Sequence, residues 1–255
     1  MNWTAIVLAA GRGPDDPMAK AYGVSHKCLL PVGGVPMLAR VVEALTACPR
    51  VGRILIAIER PALLRQALGG LDKRVEFIPS GPSASASVLA ALAGDPQFPL
   101  LVTTGDHALL TRAMLDEFLT ASEKSGADLT AGLASAQTIL AAFPLAKRTF
   151  LTFGRDRVSG CNLYGFLTPR ARAAADFWQH VEANRKSPFR LMRAFGPALL
   201  FCWATGLTSL SHAFWLASRR LKLKAAPVLM RDARAAVDVD KPADKELAEE
   251  ILKRA

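Results

Sequence analysis

The sequence is poor in several residues that mark whole classes of protein. Its four cysteines lie far apart in 255 residues with no CxxC pair, which excludes a zinc framework or a disulfide scaffold. Two tyrosines and no interleaving of aromatic with basic residues argue against a nucleic-acid-binding module. No basic segment or cleavage site precedes the strand-like run from Trp3 to Leu8, so no signal peptide is expected. We therefore expect a cytoplasmic protein without nucleic acid as a partner.

Acidic residues are also scarce, but only in one part of the chain. The net charge is +10, and between Lys147 and Arg234 sixteen Lys and Arg residues stand against four Asp and Glu. Such a concentration of positive charge favours an anionic partner, either a phosphorylated ligand or a membrane surface. A solvated basic face is an equally good interpretation of the same charges.

A long uncharged stretch lies inside this basic region. The 25 residues from Ala194 to Ser218 contain no Asp, Glu, Lys or Arg, a length that reaches the transmembrane range. Gly196-Pro197 and Gly206 interrupt the stretch, which predicts two shorter helices rather than one span. We expect residues 190–224 to form a homodimer interface, a lid, or a peripheral contact with the inner face of a membrane.

Strand-like apolar runs alternate with helix-like segments along the chain. Predicted strands at residues 5–9, 53–58, 75–78, 100–104 and 128–133 alternate with predicted helices at residues 36–48, 61–68, 85–93 and 111–124. Repeated βα units predict an α/β protein, a Rossmann-like three-layer sandwich with a mainly parallel mixed sheet and a helical insert before the last strand. The length suits a single domain over residues 1–255.

A glycine-rich loop follows the first predicted strand. In Leu8-Ala9-Ala10-Gly11-Arg12-Gly13 the glycines let backbone N–H groups approach phosphates closely. Arg12, and Lys27 at the start of KCLLPVGGVPML, supply cations for a triphosphate. The third glycine and the prompt helix of the dinucleotide-binding fingerprint are missing.

Two acidic motifs follow further along the chain. Asp106 comes just after an apolar strand, at the edge of the sheet where open α/β proteins bind ligands. Asp238 and Asp240 precede Pro242 and a helix-like segment. Mg²⁺ is usually held by one or two carboxylates plus substrate phosphates, which suits these residues. The alternative is helix capping, by Asp106 after its strand and by Asp240 or Lys241 before Pro242.

Serines dominate the loop over residues 80–88. Ser83, Ser85 and Ser87 offer hydroxyl and N–H groups to a base or ribose. The alternative is an ordinary loop in which Ser85 or Ser87 caps the next helix.

Taken together, LAAGRG and K-LLPVGG-PML resemble the N-terminal signature of the nucleotidyltransferase superfamily. That superfamily includes sugar-1-phosphate nucleotidylyltransferases, cytidylyltransferases of small phospho-alcohols and molybdenum-cofactor guanylyltransferase. The resemblance implies a fold of the nucleotide-diphospho-sugar transferase type. It also implies a nucleotide-binding half at 1–135, an acceptor-binding insert at 136–234, and a closing metal motif with a C-terminal helix at 235–255.

The resemblance assigns roles to individual residues. The catalytic cations are Arg12 and Lys27, the Mg²⁺ ligands are Asp106 and Asp240 in preference to Asp238, and the acceptor-binding residues are Gly160 and Asn162. The implied nucleotide-binding residues are Leu8, Ala9, Ala10, Gly11, Gly13, Ser83, Ser85, Ser87 and Asp106. One segment departs from the family pattern, because Pro14–His26 forms a longer loop.

The implied activity is Mg²⁺-dependent transfer of a nucleoside monophosphate with release of pyrophosphate. The donor is expected to be CTP or GTP, and the acceptor a sugar phosphate, a phospho-alcohol or a lipid precursor. A phosphate nucleophile is already ionised at neutral pH, so no general base is needed. Two alternatives remain open: a molybdenum cofactor guanylyltransferase, and a non-catalytic nucleotide-binding regulator.

Overall fold

The computed structural model describes residues 1–11, 16–94, 96–146, 148–184 and 208–254. The strands are β1 Trp3–Leu8, β2 Pro31–Val32, β3 Val35–Pro36, β4 Val51–Ile58, β5 Val75–Pro79, β6 Leu100–Thr104, β7 Leu129–Ser135, β8 Leu151–Phe153, β9 Asp156–Phe166 and β10 Ala225–Leu229. The helices are α1 Pro17–Ala21, α2 Met37–Ala47, α3 Pro61–Leu68, α4 Ala84–Ala93, α5 Arg112–Ser125, α6 Ala136–Ala142, α7 Arg172–Asn184, α8 Leu210–Leu221 and α9 Pro242–Arg254.

The core is an eight-stranded sheet with helices on both faces. The strands follow the order β10-β7-β9-β6-β1-β4-β5, with β8 paired to β9. Strand β9 runs antiparallel to both of its main neighbours, while the other pairs along this order are parallel. Five of the six residues of β1 are buried, as expected for a central strand covered on both faces. The predicted α/β sandwich with a mainly parallel mixed sheet is confirmed.

The carboxyl ends of β1 and β6 lie side by side. Leu8 pairs with Thr104, so the glycine-rich loop and Asp106 leave the sheet at the same edge. The Gly105 N–H donates to the Leu8 carbonyl at 2.9 Å. A Cβ atom on Gly105 would lie 3.1 Å from the Cys28 Cβ, so the segment that carries Lys27 packs directly on this turn. Three distant segments thus meet at one edge of the sheet.

The VGGV sequence forms a tight hairpin between β2 and β3. Gly33 and Gly34 have φ angles of +59° and +77°, which a two-residue turn of this kind requires and which favour glycine. These glycines therefore shape a turn. The Gly33 N–H donates to Glu249 Oε1 at 3.2 Å, and Val32 packs with Ile251 in one apolar cluster. The hairpin holds α9, and with it the C-terminal acidic motif, against the first third of the chain.

Two local predictions are wrong. The segment Pro14–His26 contains a short helix, α1, because the Asp16 carboxylate accepts hydrogen bonds from two backbone N–H groups of its first turn. Helix α4 is capped by Ser83 rather than by Ser85 or Ser87. The last strand of the described residues is β10, and residues 237–240 form no strand: the Val239 N–H reaches the Asp106 carbonyl at 3.3 Å instead of joining a ladder.

The long uncharged stretch is only partly described. Residues 210–221 form α8, the second of the two predicted helices, while residues 185–207 lie outside the described residues. Within the described part of the chain, no helix combines the length and the apolar character needed to cross a membrane.

Candidate functional site

A cleft opens at the carboxyl ends of β1 and β6. Its volume is about 1310 Å³, above the roughly 300–1,000 Å³ of typical ligand pockets. Its lining combines Lys27 and Asp106 with residues of the serine loop, residues 80–88, and of α7. The described lining residues are Leu8, Ala10, Gly11, Asp16, Lys27, Gly81, Pro82, Ser83, Ala84, Ala86, Ser87, Thr104, Asp106, Asp176, Gln179, His180, Glu182 and Ala183.

The Lys27 ammonium joins the two predicted metal ligands. Lys27 Nζ donates to Asp106 Oδ2 at 2.6 Å and to Asp240 Oδ1 at 2.5 Å. The side chains of Lys27 and Asp106 are 11% and 20% exposed, whereas that of Asp240 is 50% exposed. Asp106 and Asp240, which are 79 and 213 positions from Lys27 in the sequence, therefore place their charges around one ammonium group.

The electrostatics of this group keep Lys27 charged. Burial opposes the ammonium, but the charge of Asp106 and the hydrogen bonds to both carboxylates outweigh it and raise the pKa of Lys27. The second oxygen of Asp106, Oδ1, is buried and has no hydrogen-bond partner among the described residues. A buried carboxylate oxygen without a partner is costly, and it is suited to receive a cation or a donor from a ligand.

This carboxylate pair fits a magnesium ion that arrives with its substrate. Asp106 and Asp240 already converge on one cation, and carboxylate oxygens are the ligands that Mg²⁺ prefers. Over the described ranges, no group of three or more His, Cys, Asp or Glu side chains could hold a metal by itself. The remaining ligands would have to be water and substrate phosphates, as is usual for Mg²⁺.

Asp238 belongs to a separate ion pair. Arg148 Nη2 donates to Asp238 Oδ1 at 2.5 Å, and Asn162 Nδ2 donates to Asp238 Oδ2 at 3.0 Å. Asn162 has a φ of +50°, a left-handed conformation that asparagine tolerates better than most residues, near an irregularity in the β7–β9 register. This conformation accompanies a side chain bonded to the motif rather than one lining the cleft. The preference for Asp240 over Asp238 thus agrees with the geometry.

The N–H of Gly11 is occupied by a carboxylate in this structure. Gly11 N donates to Glu59 Oε1 at 3.1 Å and to Oε2 at 3.3 Å, and His26 Nε2 lies 3.3 Å from Glu59 Oε1. A carboxylate at this position offers the same kind of oxygen acceptor as a phosphate. The glycine loop therefore has a donor directed at an anion, as the motif predicts.

The serine loop is bonded to α7. Ser83 Oγ donates to Glu182 Oε2 at 2.7 Å, the Ser85 N–H reaches the same oxygen at 3.3 Å, and the Ser85 hydroxyl is also bonded to it. Ser87 has a different role: its hydroxyl accepts from the Gly81 N–H at 2.9 Å and donates to the Ser83 carbonyl. Ser87 thus fixes the shape of the loop, while Ser83 and Ser85 hold a carboxylate beside the cleft.

Two other candidates for chemistry near the cleft are inert. Burial lowers the pKa of His107 to about 4, and its ring is 1% exposed, so the imidazole is neutral and packed inside. Burial, followed by the charge of Asp106, raises the pKa of the Cys28 thiol to about 12. Neither side chain is a nucleophile or a base at neutral pH.

The remaining predicted residues fall into three groups. Ala9 and Ser85 are buried beside the lining residues, at 3% and 0% exposed. Gly160 and Asn162, predicted to bind the acceptor, are absent from the described lining of the cleft. Arg12 and Gly13 lie outside the described residues.

Sequence reasoning missed several residues in or beside the cleft. Glu59 follows β4, the parallel neighbour of β1, so the rule that ligands bind at the carboxyl ends of such strands could have found it. Asp176, Gln179 and Glu182 reach the cleft only because α7 packs on α4 through Ala175 and Val88. No sequence motif marks such a tertiary contact.

The chain is similar in sequence to known proteins. The family model of the MobA-like NTP transferase domain matches residues 5–221. The bifunctional protein GlmU of Leifsonia xyli subsp. xyli is 30% identical over 148 residues, which are 56% of this chain and 28% of that protein. The 2-C-methyl-D-erythritol 4-phosphate cytidylyltransferase of Symbiobacterium thermophilum is 32% identical over 130 residues, 50% of this chain and 53% of that one. The chain thus spans about half or less of these relatives.

A solved structure matches nearly the whole chain. It is described as a hypothetical transferase from Thermus thermophilus, with a TM-score of 0.80 and 28% sequence identity. The match covers 96% of this chain and 100% of that one. The nucleotidyltransferase resemblance found in the sequence is therefore confirmed at the level of family and fold.

Proposed function

Because the chain belongs to the family of MobA-like NTP transferase domains, we propose that it transfers a nucleoside monophosphate from a nucleoside triphosphate to a small phosphorylated acceptor. The observation that carries this proposal is the convergence of Lys27, Asp106 and Asp240 beside a cleft lined by Lys27, Asp106, Gly11 and the serine loop. A triphosphate needs cations and N–H donors at one end and polar groups for its nucleoside at the other, and the cleft provides both.

In the proposed reaction, a phosphate oxygen of the acceptor attacks the α-phosphorus, and pyrophosphate leaves. Lys27 neutralises negative charge that develops on the phosphates, since its ammonium is held charged at the mouth of the cleft. The Gly11 N–H exchanges the Glu59 carboxylate for a phosphate oxygen. The chain needs no general base, because the attacking phosphate is already ionised. The protein acts mainly by positioning the reactants and by neutralising charge.

Asp106 and Asp240 are the residues that would hold Mg²⁺ in this proposal. The ion would supply positive charge to the triphosphate and the leaving pyrophosphate. The relatives named above support a phosphorylated acceptor, since one of them is named for an erythritol phosphate. CTP or GTP is the proposed donor. The basic region between Lys147 and Arg234 supports an anionic acceptor by its charge.

The test is pyrophosphate release with each of the four nucleoside triphosphates, Mg²⁺ and a panel of sugar phosphates, phospho-alcohols and lipid phosphates. Asp106→Asn should reduce release by at least about 100-fold, the size of effect seen when one transition-state contact is lost. Asp116→Asn is the matched control, because Asp116 lies on α5 and pairs with Arg112 outside the cleft. Addition of EDTA should reduce release by the wild type to the same background.

Two outcomes would contradict the proposal. Full turnover by Asp106→Asn would remove the basis for the charge and metal assignment. Binding of a nucleoside triphosphate without any release, over the whole acceptor panel, would instead identify a non-catalytic nucleotide-binding regulator. Turnover confined to GTP and molybdenum cofactor would identify a molybdenum cofactor guanylyltransferase.

A further inference from the structure

Glu182 is an acidic residue fixed on the wall of the cleft without a cationic partner among the described residues. Its Oε2 atom is bonded to Ser83 Oγ, the Ser85 hydroxyl and the Ser85 N–H. Three donors on one oxygen hold the carboxylate in a single orientation. The second oxygen, Oε1, has no contact of this kind among the described residues, and Glu182 lines the cleft. The protein thus holds a hydrogen-bond acceptor of Glu182 in a fixed orientation, available to a ligand beside the serine loop.

Glu182 shares its cleft with the predicted phosphate-binding residues. Lys27 and Asp106 line the same cleft as Ser83, Ser87 and Glu182. If the triphosphate lies at Lys27, the nucleoside extends toward the serine loop. This assignment rests on the proposed function.

An ionised carboxylate only accepts hydrogen bonds, and this limits what it can bind. An N–H or amino group on the nucleobase satisfies it, whereas a carbonyl oxygen at the same place leaves two acceptors facing each other. Sites built around a polar contact reject an analogue that lacks the matching group far more strongly than apolar pockets reject a change of size.

We infer that Glu182 determines base specificity, by accepting a hydrogen bond from the exocyclic amino group of the nucleobase. The serines act indirectly, by fixing the orientation of Glu182. The preferred nucleoside triphosphates are those whose bases carry an exocyclic amino group. The proposal predicts discrimination between nucleotides that differ only there: CTP over UTP, and GTP over ITP.

The experiment measures dissociation constants of CTP, UTP, GTP and ITP for the full chain by calorimetry in Mg²⁺, and KM and kcat where turnover occurs. Wild type should prefer the amino-bearing member of at least one pair by about tenfold or more, as expected for one unmatched polar group. In Glu182→Ala this ratio should fall close to one, through KM rather than kcat. The readout is a ratio between two ligands, which a general loss of structure would not change selectively.

Two further variants keep the test decisive. Glu182→Gln retains an oxygen for the serine donors, so it should fold like wild type even if Glu182→Ala does not, and its amide N–H should weaken the preference for CTP over UTP. Asp116→Asn is the control: it removes a carboxylate on α5 that pairs with Arg112 outside the cleft, and should leave both ratios unchanged.

The outcomes separate this inference from the proposed function. Nucleotide binding with no discrimination in the wild type, or with ratios unchanged in both Glu182 variants, overturns the inference alone. Tighter binding of every nucleotide by Glu182→Ala also overturns it, since Glu182 would then be an internal competitor for the serine donors. No binding of any nucleotide by the wild type overturns the inference and the proposed function together.

Discussion

Asp238 and Asp240 are two residues apart, yet they lie in different electrostatic surroundings. Asp240 is 50% exposed and meets Lys27 beside Asp106, so one ammonium is shared by two carboxylates at the mouth of a cleft. Asp238 is 22% exposed and is bonded to Arg148 and Asn162. In the first group Asp106 Oδ1 is buried without a hydrogen-bond partner among the described residues, whereas both carboxylate oxygens of Asp238 are bonded within the protein. Neighbouring carboxylates of one short motif can therefore belong to different ion-pair groups.

The Lys27→Met variant removes the cation that Asp106 and Asp240 share. Lys27→Met should reduce pyrophosphate release by about 100- to 1,000-fold, because a charge that stabilises the developing phosphate charge is lost. The free energy of unfolding should also fall, by about 2 kcal/mol, because Asp106 is left partly buried next to a second carboxylate. Release assays and urea titrations of the same preparations measure both effects. A variant that keeps its activity but unfolds would place Lys27 with the structural residues.

The Arg148→Met variant removes the cation that pairs with Asp238. Arg148→Met should lower the free energy of unfolding by about 2 kcal/mol, because Asp238 is left partly buried with a single side-chain partner. Release should fall far less than in Lys27→Met, measured well below the melting temperature. The double variant Arg148→Met with Asp238→Asn should recover part of the lost stability, as the unpaired charge is gone. An Arg148→Met variant as inactive as Lys27→Met would contradict the division between the two pairs.

A third carboxylate, Asp128, lies at the opposite edge of the sheet, and its replacement is expected to have the smallest effect. Asp128 accepts from the Lys224 N–H at 2.8 Å and from Thr168 Oγ1 at 2.6 Å, and these hydrogen bonds, in that order, lower its pKa from the ordinary 3.8. A lowered pKa stabilises the fold above pH 3.8, and this stability is lost as the pH falls through the folded-state value. Asp128→Asn should cost about 1 kcal/mol at pH 7.

The pH dependence is the check on Asp128→Asn. The stability difference from wild type should be constant between pH 5 and pH 7, since the unfolded carboxyl is already ionised there. It should shrink as the pH falls below 3.8. Urea titrations of both proteins across this range measure it. A difference that grows toward acid would mean that Asp128 is not stabilised in its charged form.

Much of the fold could be predicted because it depends on local pattern. The helix over 61–68 and the strand over 100–104 have the predicted bounds, and Thr111 caps α5 as its sequence position indicates. The family resemblance predicts that Lys27, Asp106 and Asp240 lie in one site. Strand geometry alone placed only Asp106 at the edge of the sheet.

The rest could not be predicted because it depends on contacts between distant segments. Ser83 rather than Ser85 caps α4, and both serines are bonded to Glu182 nearly one hundred residues away. Residues 237–240 have the alternation of a strand but meet no partner strand, so they bond to the Asp106 carbonyl instead. Asn162 has a strand-like sequence around it, and only its φ of +50° explains why its side chain reaches Asp238.

The hydrogen bond between Val239 and Asp106 has a consequence for how the chain can change in length. The backbone leaves the cleft at Asp106 and comes back to touch the same residue at Val239. The described part of the chain between these positions also returns to the core, because β9 pairs with β6 and α7 lines the cleft. The contact between Val239 and Asp106 nevertheless joins the two acidic segments directly. Residues added or removed in loops far from this contact are therefore expected to leave the spacing of Asp106 and Asp240 unaltered.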